Sequence, residues 1–356
     1  MKTFYFSLVV FFSLSHLQVS AKIWRVNNIP GIAADYTTMI DAHNAASPGD
    51  TVHLEPSPYP YTSFTCSKKL FIVGTGYFLD ENLNAQSQNH TSQLHGLTFN
   101  VGAEGSVVSG IDFNGNNVNI YCNDLVIRRN RFSKPSGGLP DETTGAVNTY
   151  YRSDNSSVPV TNILISQNYG VTISVHYPSS GILINNNFIA VHARSGDNTQ
   201  NGALYSHANA VVLVQNNVFR RGKITTYNSS FSNNILVAGL VEGTGNAYSN
   251  NLSNESQFGT ANNNKANINM ANVFVGAGTG ISSDGQWKLK TGSPAIGAGY
   301  GSTPQNPVDA GLYGGVTPYV LAGQVHMPAI YFFEVQPVGS SADPVDVNVK
   351  VKSAGN

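Results

Sequence analysis

His176, His192, Arg194 and Lys223 lie in one Arg- and Tyr-rich stretch of the chain, and they are the residue types that would cleave an acidic sugar chain by β-elimination. That reaction needs a cation to neutralise the uronate carboxylate and acidify the neighbouring C–H. It also needs a base within hydrogen-bond reach of the proton. Arg194 or Arg220 could neutralise; His176, His192, Lys223 or Tyr205 could act as base. Tyr150, Tyr151, Arg152, Tyr177, Tyr205, Arg220 and Arg221 add aromatic faces and guanidinium forks that suit an acidic glycan. The plain alternative for each histidine is a polar loop residue. Glycoside hydrolysis would need two carboxylates about 5 to 9.5 Å apart, and the adjacent pair Asp141-Glu142 sits in a Gly/Pro-rich loop, where solvated charge is the default.

The charge distribution points to the same stretch. Between Leu125 and Ser230 there are nine basic residues against four acids, although the whole chain carries a formal net charge of only -1. No global field would draw it onto nucleic acid or an anionic membrane, so the expected partner is a polysaccharide or cell-surface glycan. His90 and His95 flank a loop without a third ligand of suitable spacing, so neither a metal nor a cofactor is expected.

The elements that must position these residues show themselves as a repeat. A hexad with apolar residues at its first and sixth positions and Asn at its fourth recurs, with Gly or Ser replacing the last apolar residue in two copies. It occurs at Ile127/Asn130/Phe132, Ile165/Asn168/Gly170, Ile184/Asn187/Ile189, Val214/Asn217/Phe219, Phe231/Asn234/Leu236 and Tyr248/Asn251/Ser253. The unit is about 17 to 19 residues, too short for a helical hairpin and filled with β-rich runs between Asn/Gly turns. Each unit reads as one coil of a solenoid. The step from Asn130 to Asn168 reads as two units, with Ala146/Thr149/Tyr151 on the intermediate register. Stacked asparagines would form an amide ladder; alternatively, Asn simply tolerates the left-handed bend. Two insertions, Ser133 to Val160 and Ala190 to Ala210, would leave the stack on one side and line a groove.

The ends differ from the middle. Residues 1–21, with Lys2 ahead of the apolar run Phe4 to Leu14 and a small-residue site at Val19-Ser20-Ala21, match a signal peptide. The expected location is therefore secreted or cell-surface, with no transmembrane anchor. Asp35 to Ala46 contains a short helix pattern that would cover the first coil. With the following strand and LFIVGTGY, this opening resembles that of the secreted right-handed parallel β-helix, or pectate-lyase-like, superfamily. GSPAIGAG (Gly292 to Gly299) and DAGLYGG (Asp309 to Gly315) are similar to the closing segment of bacterial members. The resemblance implies an all-β chain: a right-handed parallel β-helix over 22–319 with an N-terminal capping helix. It does not extend to an activity, since the Arg-x-Pro-x-x-Arg element and clustered Asp set of pectate lyases and the Gly-His-Gly element of polygalacturonases are missing.

Within residues 320–356, Ala329 to Val335 and Val345 to Val351 alternate apolar and polar around a turn, and the segment reads as a C-terminal β-hairpin closing the last coil, or as a small attachment module. Aligning Phe64-Thr65-Cys66, Phe99-Asn100-Val101 and Ile120-Tyr121-Cys122 sets the two cysteines two coils apart, about 9.6 Å. A disulfide tolerates at most about 7 Å, so free buried thiols are expected. A monomer that binds, and by β-elimination cleaves, an extracellular polysaccharide is one reading; a non-catalytic surface protein or adhesin is the other.

Overall fold

The structure, a computed structural model, describes residues 21–132, 134, 145–149, 159–191, 202–325, 327–337, 339 and 344–352. They wind into a right-handed parallel β-helix, with a ten-stranded sheet and a branched twelve-stranded sheet running along the stack. The first face is the ten-stranded sheet, from Ile23–Val26 to Ala247–Ser249. The second face runs from Phe64–Cys66 to Leu240–Glu242. The third branches from the long strand Tyr169–Val175 and ends at Leu252–Ser253.

Registers follow the hexad. Ile127, Ile165, Ile184, Val214 and Phe231 lie one above the next on the first face and are all buried. Each such side chain, taken out of water, contributes about 1.5–3 kcal/mol. After this column the chain bends, and two neighbouring positions make the bend. The first is left-handed in every central coil: Arg129 (φ 56), Gln167 (φ 57), Asn186 (φ 53), Asn216 (φ 54), Asn233 (φ 60) and Asn250 (φ 56). The second is the hexad asparagine, whose Nδ2 donates to Oδ1 of the next. The ladder runs Asn130 to Asn168 (3.1 Å), Asn187 (2.9 Å), Asn217 (3.0 Å), Asn234 (3.0 Å), Asn251 (2.9 Å) and Asn264 (3.0 Å). The amide ladder and the left-handed bend thus both exist, on adjacent residues. Asn264 extends the ladder beyond the hexads because its step is only 13 residues.

Two registers differ from the sequence expectation. Asn130 bonds directly to Asn168, so the 38-residue step is one coil, not two. Ala146–Thr149 instead lies on the second face, between Val118–Ile120 and Thr172–Val175. Phe99 pairs with Ile120 as expected, but Cys66 and not Phe64 pairs with Phe99, a slip of two residues at that step of the column. An even slip keeps every side chain on the same face, so alternation alone does not distinguish the two registers. Both cysteines are buried and free.

The helix Met39–Ala45 covers the first coil with Met39 and Ala42, and Thr38 caps it by accepting from the Asp41 N–H (3.1 Å). At the other end Phe258, packed against Phe231 and Tyr248, covers the last coils, and the chain then changes direction. It turns back as a strap along the left-handed column. Asn250 donates to Ala298 O (3.1 Å), Asn216 to Asp309 O (3.2 Å), Asn186 to Gly314 O (2.8 Å), Gln167 to Pro318 O (2.6 Å) and Arg129 to Gln324 O (2.9 Å). Ala295, Ala298, Ala310 and Leu312 of the strap cover the outward Phe188, Val218, Ile235 and Leu252, so the third face is buried on both sides. That explains its unbroken apolar pairs. At Gly311 (φ +88) a Cβ would stand 2.6 Å from Ile235 Cδ1, so DAGLYGG is the sequence of a close approach. The hairpin, Ala329–Val335 with Val347–Lys352, therefore ends beside the N-terminal coils, where Ser87 N donates to Ile330 O (2.8 Å). Its expected place at the C-terminal edge is corrected: the strap carries it back along the whole stack.

Candidate functional site

The second face carries the candidate residues because its strands alternate. Ile173, Leu204 and Ile224 point into the core, and Ser174, Tyr205, Thr225 and Glu242 form the outward column in register. The same column continues through Asn148, Asn119, Thr98 and Thr65 toward the first coils. Hydroxyl, amide or carboxylate groups thus follow one another along the stack, about 4.8 Å apart.

His176 follows the strand Tyr169–Val175, and its backbone N–H donates to Thr149 Oγ1 (2.9 Å). Its ring lies 5.5 Å from that of Tyr205, centroid to centroid, tilted by 41°. Partial burial lowers the His176 pKa, so the imidazole is neutral at neutral pH and can accept a proton. Tyr205 is 38% exposed and offers its ring to solvent. Lys223 opens the next strand, Lys223–Thr225, on the same outward side, and its Nζ lies 3.4 Å from Glu242 Oε2. Arg220 and Arg221 form the connection into that strand and are half-buried; Arg220 N donates to Ile189 O (2.9 Å). Tyr177 is buried at 8% exposure, so its ring packs within the fold.

The fold therefore brings the His176 and Tyr205 rings together and places Lys223 one coil beyond Tyr205 on the same face, two positions before the residue level with it, with Arg220 and Arg221 in the adjoining bend. Tyr150, Tyr151, Arg152, His192 and Arg194 lie outside the described residues, as do most of the first insertion and about half of the second. The described strands Ala146–Thr149 and Gly202–Ser206 show that both insertions contain a strand of this face. Glu242, the ion partner of Lys223, was missed in the sequence. The signal existed: the ladder step of 17 residues from Asn217 to Asn234, applied to Thr225, lands on Glu242. Among the described residues no group of three or more His, Cys, Asp or Glu is placed to hold a metal ion. No described helix is long and apolar enough to cross a membrane.

No protein-family model matches the chain, and no curated protein matches it. Among solved structures it is similar to the crystal structure of pectate lyase Pel9A, at 12% identity and a TM-score of 0.38, over 83% of this chain and 97% of that one. The assignment to the parallel β-helix fold rests on the strand registers and the ladder above.

Proposed function

We propose that the protein is exported and binds an acidic extracellular polysaccharide along the outward column of its second face. The observation that carries this reading is the solvent-facing Tyr205 ring against His176, with Lys223 on the neighbouring strand. An aromatic face packs against a sugar ring, cations attract its carboxylate, and the accessible hydroxyls of the column, on Thr65, Thr98 and Thr225, supply hydrogen bonds. For β-elimination, neutral His176 beside Tyr205 would take the proton, while Lys223, two coils and about four residue positions away, would attract the carboxylate of a neighbouring sugar.

The second reading, a non-catalytic glycan-binding surface protein, is favoured by one feature: Glu242 stands beside Lys223 and offsets its charge. The test exposes the full chain to a panel of acidic polysaccharides. Near-ultraviolet absorbance of an unsaturated product is followed, and retention on immobilised glycan is measured against salt. Product formation establishes the lyase reading, and salt-sensitive retention without product establishes the binding reading. Neither signal on any acidic glycan rejects both.

A further inference from the structure

The hairpin presents an unusual edge. Its second strand, Val347–Lys352, pairs on one side with Ala329–Val335, and that two-stranded sheet is complete in itself, so the other edge has no strand partner among the described residues. The side chains along it are solvent-facing: Val345 is 48% exposed, Val347 54%, Val349 42% and Val351 61%. Such an edge invites another strand, and natural proteins normally blunt it.

We infer that this edge pairs with the same edge of a second copy of the chain, antiparallel, about a two-fold axis at Asn348. The sequence Val345-Asp346-Val347-Asn348-Val349-Lys350-Val351 complements itself in that register. Val345 falls opposite Val351 of the second copy and Val347 opposite its Val349, which continues one apolar face across the junction. On the other face Asp346 falls opposite Lys350 of the second copy, and Asn348 opposite its own counterpart. Every charge meets its opposite, and none meets its like. Lys350 is available for this, lying over the Phe332 ring at 4.7 Å, whereas Lys352 is already anchored to Asn84 O (2.8 Å) and Gln324 Oε1 (2.9 Å). The first strand is tied to Ser87 at Ile330, and the two-fold joins the two second strands into a four-stranded sheet. The inference stands apart from the glycan reading, since it uses none of the second-face residues.

Sedimentation of the full chain over a concentration series tests it. The chain is expected to dimerise reversibly. Lys350→Asp, which sets acid opposite acid twice, should weaken the dimer about ten-fold or more, and the swap Asp346→Lys with Lys350→Asp should restore it. Both positions are exposed, so unchanged melting of the variants shows that folding is intact. A chain that remains monomeric to about 0.1 mM overturns the inference. So does a dimer indifferent to Lys350→Asp, or a monomeric chain whose hairpin instead captures lipid vesicles.

Discussion

The hydroxyls of Tyr77 and Tyr319 lie 2.7 Å apart although 242 residues separate them, so the last part of the chain is locked by a buried hydrogen bond to the segment that follows the strand Phe71–Val73. Fully buried Asp284 completes the lock. One oxygen accepts from Ala322 N (2.7 Å) and the Tyr319 hydroxyl (3.3 Å), and the other accepts from Asn82 Nδ2 (3.3 Å). Burial pushes both tyrosine pKa values well above the ordinary range, which keeps them protonated as donors.

Removing that acceptor should therefore loosen the strap. Asp284→Ala leaves buried donors without a partner and is expected to cost about 2–4 kcal/mol, mostly as desolvation of those groups. Calorimetric unfolding checks this, and hydrogen exchange should show the strap from Ala298 to Gln324 opening first.

The ladder predicts a graded series. Asn217 Oδ1 accepts from both the backbone N–H (2.9 Å) and the Nδ2 (3.0 Å) of Asn187, so Asn217→Ala strands two buried donors and should cost on the order of 3 kcal/mol. At the first rung, Asn130 Oδ1 accepts from Ile111 N (3.1 Å), so Asn130→Ala should cost less, about 1–2 kcal/mol. Equal losses in denaturant titrations at the two positions would contradict the ladder's account of stability.

Acid should weaken the N-terminal cap. His43 Nε2 accepts from Ser67 N (3.1 Å), which requires a neutral ring, and burial followed by the nearby Lys68 charge lowers its pKa from 6.5. The folded state then binds fewer protons than the unfolded chain. The contribution of His43 is full above about pH 6.5 and is lost as pH falls toward the lowered value. His43→Gln keeps an acceptor that does not titrate. The stability difference between the two proteins should change between pH 7 and 5, in favour of the variant at low pH; parallel curves would sink the idea.

Burial pushes the Cys66 thiol up to about 11 and the Cys122 thiol up to about 12. Because the thiolate is the reactive species, neither should react with a thiol reagent at pH 8 in the native protein, and both should react once it is unfolded.

At the second face, Tyr205→Ala should reduce glycan retention several-fold without affecting the melting temperature, since the ring is exposed. Glu242→Gln should raise retention and its salt sensitivity by releasing the charge of Lys223. Retention that ignores both substitutions would move the binding surface elsewhere.

The stack was legible because its contacts repeat. Ile165 finds Ile184, and Asn168 finds Asn187, one coil away, so a contact one unit distant leaves a period in the chain. The same period located the coil that holds Lys223, and the Arg- and Tyr-rich composition drew attention to Tyr205. It failed where the period is interrupted: the insertion between Asn130 and Asn168 read as an additional coil, and the 13-residue step hid Asn264.

What the residues determined by themselves is the coil: inward apolar positions and an amide at each bend are local demands, repeated from turn to turn. What only the tertiary structure decided is everything that crosses the stack. The strap's return over the third face, the hairpin's place beside Ser87 and the meeting of Tyr77 with Tyr319 join segments far apart in the chain. Such docking depends on complementary surfaces made once, and a contact made once leaves no periodic trace in the sequence.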